Sequence, residues 1–404
     1  MDKLPKGWKQ VTIDDIASKV VDGSHNPPKD KGEGIPMISA QNVINGEINL
    51  NASRYISEEE FKNEQKRTNI QVGDIFLTIV GTIGRCAVVR NIDVKFAIQR
   101  SIAIIRTSEN SFYLCYYFQS PQFIELLTSN ARGAAQQGIY LGQLKSLQVP
   151  LPPLPDQTRI VSKLDALFTR IDKSITLLEE NIKHTKGLMA SVLEELFEKL
   201  RSKSTIYKIK EIAEIKGGKR LPKGESIQDE KTDYPYIRVT DFTNDGTIDV
   251  NSVKYMTQSV HQQIKRYIIT SKDLYISIAG TIGKTGIIPK ELENANLTEN
   301  AARLVFKSNL KINNRFVYYF TLSDNFKDQV GLATKVVAQP KLALTRLSEV
   351  ELPIPSIEIQ NKEVKIFDEL SRKFQEINTK QLSKLAYLQA LKSSILDRAF
   401  KGEL

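Results

Sequence analysis

Cysteine is scarce: two residues, Cys86 and Cys115, in a chain of 404. So few exclude a disulfide-stapled scaffold and a cysteine-rich zinc module. The two are expected as thiols in a reducing compartment, with a single disulfide left open. Histidine is as sparse. His25, His184 and His261 stand apart, without the spacing that zinc ligands need. His184 falls in a helical stretch, where a surface position is expected. No apolar run approaches the roughly 20 residues that span a bilayer, and the first six residues, Met1 to Lys6, lack the apolar core of a secretory signal. A cytoplasmic protein without a membrane segment is therefore expected. A hydrophobic fraction of 41% excludes a wholly disordered chain, and the length suggests two or three domains. The net charge of +10 is a weak pointer to a polyanionic partner.

Catalytic patterns are missing too. Gly283-Lys284-Thr285 resembles the end of a phosphate-binding loop, but that loop needs a glycine five positions before Gly283, where Ile278 stands. A tight strand-to-strand turn carrying a basic residue fits better. Asn26-Pro27-Pro28-Lys29 resembles the Asn-Pro-Pro-aromatic loop of amino-methyltransferases, but Lys29 has no ring to stack on a base. No glycine-rich cofactor loop opens a Rossmann-like unit. No Ser-His-Asp or Cys-His pairing suggests itself. A recognition protein is expected rather than an enzyme.

What is present is a duplication. Gly81-Thr82-Ile83-Gly84-Arg85 recurs as Gly280-Thr281-Ile282-Gly283-Lys284, and Ile35 to Ile38 recurs as Tyr234 to Ile237, both at an offset of 199. Gly46 to Leu50 parallels Gly246 to Val250 at 200, and Tyr116-Tyr117-Phe118 parallels Tyr318-Tyr319-Phe320 at 202. Pro150-Leu151-Pro152 parallels Pro353-Ile354-Pro355, and Leu188 to Phe197 parallels Leu391 to Phe400, both at 203. Conserved order with a slowly drifting offset implies two units of about 200 residues, each too long for a solenoid repeat and expected to own a core.

Each copy changes texture once. Short apolar runs come first: Val72 to Val80 and Ile102 to Ile105, then Leu274 to Ala279 and Leu304 to Phe306, read as strands. Phe112 to Gln119 and Phe316 to Leu322 read as helices with an aromatic face. A prolyl stretch, Val149 to Pro155, reads as a stiff extended connector. Apolar residues then recur every three or four positions from Ile160 through Leu164, Leu167, Ile171, Ile175, Leu178 and Ile182 to Leu200. A helix from Asp156 to Leu200 would be roughly 65 Å long at about 1.5 Å per residue, and Ile357 to Leu404 repeats the pattern. Each stripe needs a partner. The fold class expected is α+β: two globular mixed α/β domains joined by two long antiparallel coiled-coil helices, with a pseudo-twofold internal repeat. The boundaries are 1–154 and 204–356 for the globular domains, 155–203 and 357–404 for the helices.

The charge has an address. Lysine plus arginine against aspartate plus glutamate count 17 to 15 in residues 1–154 and 7 to 8 in 155–200. They count 24 to 17 in 201–356 and 9 to 7 in 357–404. The globular domains hold nearly all of the excess. Basic turns interleaved with Asn, Gln, Ser and Tyr suit DNA, since Arg and Lys serve phosphates and guanines while Asn and Gln read adenines. The candidate DNA-contacting residues are Ser24, His25, Lys29, Arg85, Arg100, Gln136, Gln137 and Tyr140 in the first copy. In the second they are Lys219, Arg220, Lys223, Arg238, Lys284, Lys335, Gln339 and Lys341.

Leu151-Pro152-Pro153-Leu154-Pro155-Asp156-Gln157 before a long helix resembles the central conserved region of Type I restriction–modification specificity subunits. The stretch from Leu391 to Leu404 resembles their C-terminal conserved region, and the Gly-Thr-Ile-Gly turns recur in their target recognition domains. The second prolyl motif, Pro353 to Gln360, lacks the third and fourth prolines, which leaves the start of the second helix open by a few residues.

The resemblance covers the whole chain, and its implications are specific. Each recognition domain would read half of a split, asymmetric site on double-stranded DNA, and the helices would fix the unread gap. Two modification (methyltransferase) subunits, which bind S-adenosylmethionine, would dock on the chain and methylate adenines. Two restriction subunits would add translocation and cleavage with ATP and Mg. The chain itself would hold no catalytic residue and no cofactor. Two other readings stay open at this level: a recognition chain fused to its own methylase or nuclease, and a coiled-coil scaffold without sequence-specific DNA binding. On the charge map, neutralising basic turns within 201–356 is expected to flatten the salt dependence of DNA binding more than the same change within 1–154. Equal slopes in a salt titration would show that segment charge does not track phosphate contacts.

Overall fold

The computed structural model describes residues 4–52, 54–131, 138–331 and 341–404. The chain forms two compact units, Met1–Glu179 with Ser383–Leu404, and Glu180–Leu382. No helix among the described residues is long and apolar enough to cross a membrane.

A four-stranded antiparallel sheet lies at the centre of each unit. In the first its order is Ala17–Asp22, Ile102–Thr107, Ile75–Thr78, Cys86–Val88. In the second it is Ala213–Gly217, Ala301–Phe306, Leu274–Ser277, Thr285–Gly286. The central strands are largely apolar because both faces are covered, with Thr78, Arg106, Thr107, Ser277 and Arg303 as exceptions. Ile75, Leu77, Ala103 and Ile105 point into one cluster, while Phe76, Ile102 and Ile104 point into another. The strand expected over Val72 to Val80 is shorter, because Gly73 turns at φ 90° and leaves Val72 exposed. A smaller sheet beside it carries a parallel pair, Met37 with Ala97 and Ile38 with Ile98 in the first unit, Tyr236 with Asn296 and Ile237 with Leu297 in the second.

The prolyl segment is not a free connector. Gln148–Leu151 is a strand whose residues pair antiparallel with Lys9–Thr12, and Glu351–Ile354 pairs likewise with Thr205–Lys208. The beginning and end of each globular part are thereby stitched together. Proline is tolerated there because each pair is an isolated two-stranded ribbon with an edge facing away from the ladder. The long helices follow at once, Leu154–Arg201 and Ile357–Phe400. The first starts two residues earlier than the Asp156 expected from sequence, with Pro155 in its first turn, where a missing N–H costs nothing.

A buried glutamine fixes each helix start. Gln157 is fully buried. Its Nε2 donates to the Pro152 carbonyl at 2.9 Å and to Glu109 Oε2 at 2.8 Å, and its Oε1 accepts the Asn110 N–H at 3.0 Å. Asn110 caps the aromatic helix Ser111–Phe118 through the N–H groups of Phe112 and Tyr113. The second unit repeats this on Gln360, which donates to Pro355 O at 2.9 Å and Lys311 O at 3.2 Å and accepts from Asn313 N at 2.9 Å. Asn313 caps Asn314–Thr321. The degenerate second prolyl motif therefore keeps the residue that matters.

Each aromatic helix lies against segments of both long helices. In the first unit the Tyr113 and Tyr117 rings meet Phe400 at 5.4 and 5.1 Å, and Tyr116 Oη donates to Asp165 at 2.5 Å. In the second, Phe316 and Phe320 meet Phe197 at 5.4 and 5.1 Å, and Tyr319 Oη donates to Asp368 at 2.5 Å. Tyr116 thus corresponds to Tyr319, an offset of 203. The sequence match of Tyr116-Tyr117-Phe118 to Tyr318-Tyr319-Phe320 is displaced by one residue, because the cap and the ring contacts, not letter identity, set which face of a helix is buried. Within the first unit Lys392 Nζ lies 2.7 Å from Asp172 and Arg159 donates to Leu404 O at 2.8 Å. Within the second, Gln381 Nε2 lies 3.3 Å from Thr185 Oγ1.

Gln157→Ala and Gln360→Ala are each expected to lower the unfolding free energy by about 1–3 kcal/mol, since each strands a buried carbonyl and a buried N–H. Denaturant titration followed by circular dichroism checks this; unchanged midpoints would mean that the prolyl strand and aromatic helix hold their places without the glutamine.

Candidate nucleic-acid interface

In each unit the strand that flanks the central sheet runs into a turn which hydrogen-bonds to the smaller sheet. Gly23 N donates to Ile102 O at 3.2 Å, Ser24 N to Ile98 O at 3.0 Å, and Arg100 N returns to Ser24 O at 3.0 Å. In the second unit Gly218 N donates to Ala301 O at 2.9 Å and Lys219 N to Leu297 O at 2.8 Å. The glycine is required by space: a Cβ on Gly23 would lie 2.2 Å from Ile98 O, and one on Gly218 would lie 2.0 Å from Thr298 O. Ser24 and Lys219, His25 and Arg220, Arg100 and Glu299 therefore occupy matching places.

The Gly-Thr-Ile-Gly turns are tight strand-to-strand turns, as their sequence implies. Gly81, Gly84, Gly280 and Gly283 adopt φ of 79°, 90°, 75° and 87°, a region closed to most side chains. One hydroxyl organises each turn. Thr78 Oγ1 donates to Thr82 O and accepts the Arg85 N–H at 2.9 Å. Ser277 Oγ donates to Thr281 O and accepts the Lys284 N–H at 2.8 Å. Arg85 is left exposed, while Lys284 folds back on the Phe242 carbonyl at 3.2 Å.

Three of the candidates converge in the first unit. His25, Arg100 and Tyr140 line a cleft of about 430 Å³ together with Asp22, Arg67, Ile79 and Val80. Asp22 is buried at 6% exposure and holds two neighbours, His25 Nε2 at 2.7 Å and the Arg67 guanidinium. Tyr140 is 71% exposed. The Arg100 side chain is exposed and makes no ion pair or hydrogen bond among the described residues. Ser24 is buried and contributes its backbone. Lys29 is exposed and is not among the residues that line this cleft. Gln136 and Gln137 lie outside the described residues.

The second unit spends more of its cations internally. Arg238 is bound at 2.7 Å to Asp241, which is fully buried, and to the Ser252 carbonyl. Arg220 is 79% exposed on its side chain and meets Glu299 at 2.6 Å. Burial pushes the Glu299 carboxyl up, but the hydrogen bonds from Arg220, its own N–H and the Thr298 hydroxyl bring it below the usual glutamate range. Lys219 Nζ sits 5.8 Å above the Tyr267 ring, and its carbonyl accepts Tyr236 Oη. Lys223 and Lys341 are exposed. Lys335 and Gln339 lie outside the described residues. Sequence reasoning missed Asp22, Arg67 and Glu299. A signal for Arg67 existed, since Lys66-Arg67 recurs as Lys265-Arg266 at the same offset of 199 as the turns. No group of three His, Cys, Asp or Glu that could hold a metal ion occurs among the described residues.

Two units of mixed α/β architecture, each offering a basic polar edge built on the same backbone frame, define a duplicated nucleic-acid recognition protein. The Type I restriction modification DNA specificity domain matches residues 5–183 and again 201–387, and the chain belongs to that family. Its members are the non-catalytic, DNA-recognising subunits of Type I restriction–modification systems. The EcoBI specificity subunit of Escherichia coli is 24% identical, over 98% of this chain and 86% of its own. The MjaVIII specificity subunit of Methanocaldococcus jannaschii is 23% identical, over 89% and 84%. A solved chain from a study of complex assembly and conformational transition in the type I R-M system superposes with a TM-score of 0.76 at 18% identity, covering both chains in full. The HsdS subunit of Thermoanaerobacter tengcongensis superposes with a TM-score of 0.53 at 20% identity, over 100% of this chain and 98% of that one.

Gly23→Ala and Gly218→Ala are expected to break the turn that carries His25 or Arg220 and to weaken DNA binding, whereas Gly142→Ala, whose Cβ meets nothing within 4 Å, is expected to leave binding intact. A gel-shift series compares the three; wild-type binding by both turn variants would show that the turn is not part of the interface.

Proposed function

We propose that residues 1–154 and 204–356 each read one half of a split, asymmetric DNA site, and that residues 155–203 and 357–404 form an antiparallel coiled coil on a pseudo-twofold axis that sets the gap. The observation that carries this is the pair of matching edges with unlike side chains: the same frame presents His25, Arg100 and Tyr140 in one unit, and Lys219, Arg220 and Glu299 in the other. Identical frames suit two half-sites on one duplex; unlike side chains suit two different half-sequences. The exposed turns with Lys29, Arg85, Lys223 and Lys341 would add phosphate contacts, which position without specifying.

Two modification subunits with S-adenosylmethionine and two restriction subunits with ATP and Mg would complete the assembly, in the cytoplasm where DNA is accessible. The long helices are their docking surface in this reading, and their near-neutral charge suits protein partners. A scaffold indifferent to DNA sequence is disfavoured by family membership.

Inserting one heptad into each long helix adds about 10 Å, roughly three base pairs at about 3.4 Å each. The gap of the methylated motif, mapped in cells carrying the cognate modification subunit, is expected to lengthen accordingly while both half-sequences persist. A motif with an unchanged gap would sink the ruler, and the absence of any motif lost on deleting the gene would sink the DNA-reading function.

A further inference from the structure

We infer that position 100 in the first unit and its structural counterpart 299 in the second are base-selecting positions of opposite sense. Arg100 selects guanine, and Glu299, steadied by Arg220, selects a base that offers an exocyclic amino group. This rests on the DNA-reading assignment above and goes further by naming the residues and the base chemistry.

The equivalence is geometric. Ile98 and Leu297 accept the N–H of Ser24 and Lys219, Gln99 N donates to Ile38 O at 2.9 Å, and Thr298 N donates to Ile237 O at 3.0 Å. Ile102 N donates to Gln99 O and Ala301 N to Thr298 O. Arg100 and Glu299 are thus the residues between the same two backbone bonds, at the same exit from the smaller sheet. A duplicated frame that keeps these bonds while reversing the charge at one position, exposed in Arg100 and half-buried in Glu299, has changed what that position binds, not how the chain folds.

The surroundings make the reversal coherent. In the first unit Asp22 draws His25 and Arg67 to itself, and the Arg100 guanidinium, in the lining of the same cleft, has no ion pair or hydrogen bond among the described residues. Across the second sheet the register pairs Gly217 with Ala302 where the first pairs Asp22 with Ala103, so no carboxylate stands at that place. Arg220, in the place of His25, takes Glu299 instead. That ion pair is solvent-exposed on the arginine side and contributes little to folding. It does fix the carboxylate in place with lone pairs to spare, since a carboxylate accepts up to about four hydrogen bonds.

The chemistry follows from the groove. An unpaired guanidinium donates two parallel bonds to guanine O6 and N7, and a carboxylate accepts from an amino group such as cytosine N4. A phosphate contact explains Arg100 equally well in isolation, but it does not explain an acid at the matching place, which phosphates would repel.

The full-length chain is mixed with duplex DNA randomised over two blocks, and bound duplexes are sequenced for wild type, Arg100→Gln, Arg100→Glu and Glu299→Arg. Wild type is expected to enrich a split motif. Arg100→Gln should move one position of one half-sequence from guanine to adenine, as an amide pairs with adenine N6 and N7, with discrimination changing roughly 5- to 150-fold. Arg100→Glu should abolish that guanine, and Glu299→Arg should create one in the other half-sequence. Each variant should leave the opposite half untouched. Thermal melting checks that each variant folds as wild type does. Uniformly weaker binding with every base preference retained overturns the inference and leaves the DNA-reading function standing. A wild-type chain that enriches no motif overturns the DNA-reading function itself.

Discussion

The rest of the structure depends on a glutamine that cannot reach water. Gln157 and Gln360 each satisfy three polar groups from two segments: a prolyl carbonyl, and, in the loop before the aromatic helix, an acceptor oxygen and the N–H of that helix's capping asparagine. Burial of an amide without partners is unfavourable, so these bonds are effectively obligatory. They fix the angle at which a long helix leaves its globular part. A hydrophobic residue would fill the space and leave the angle free. The device is one of direction rather than of adhesion, and it matters in a protein that must hold a recognition edge in a set orientation.

From that anchor the packing propagates through aromatic rings. The aromatic helix of the first unit meets the start of the first long helix through Tyr116 with Phe168 and Asp165, and the end of the second through Tyr113 and Tyr117 with Phe400. In the second unit Tyr319 meets Phe367 and Asp368, while Phe316 and Phe320 meet Phe197. Aromatic pairs of this kind, edge-on except for the tilted Tyr319–Phe367, add about 0.5–1.5 kcal/mol each beyond the area they bury. Neither unit is built from its own copy alone. Each core is finished by the last turns of the other copy's helix, so the duplication is folded as an exchange, and one copy cannot lose its helix without opening the other's core.

The sequence disclosed whatever was periodic or repeated. The long helices, the two-copy plan and the role of the Gly-Thr-Ile-Gly turns were legible because they rest on local spacing and backbone sterics. The helix start of the second copy was obscured by its missing prolines, although Gln360 kept the offset of 203. Tyr116 was matched to the wrong tyrosine because Tyr318 and Tyr319 are interchangeable as letters and distinct only by the face they turn inward. The cleft was half visible. His25, Arg100 and Tyr140 stand far apart in sequence and gave no sign of meeting, and Asp22 gave none of binding His25 and Arg67 together. Such convergence is a property of sheet register, which spacing along the chain does not encode.

Net charge and recognition then separate into different layers of the same surface. Ion pairing leaves net charge unchanged, so the excess of 24 basic over 17 acidic residues in 201–356 remains whichever of them are paired. That surplus acts at a distance, is screened by salt, and attracts any duplex. Discrimination needs the opposite properties: short range, fixed geometry and partners that leave a side chain either free or rigidly aimed. Asp22 holds His25 and Arg67 and leaves Arg100 without an ion pair among the described residues, while Arg220 holds Glu299. In the second unit Arg238, Arg303 and Arg315 are bound to the unit's own carboxylates. The two copies thus differ separately in the charge of their globular segments and in the groups at the matching edge positions, Arg100 against Glu299 and His25 against Arg220.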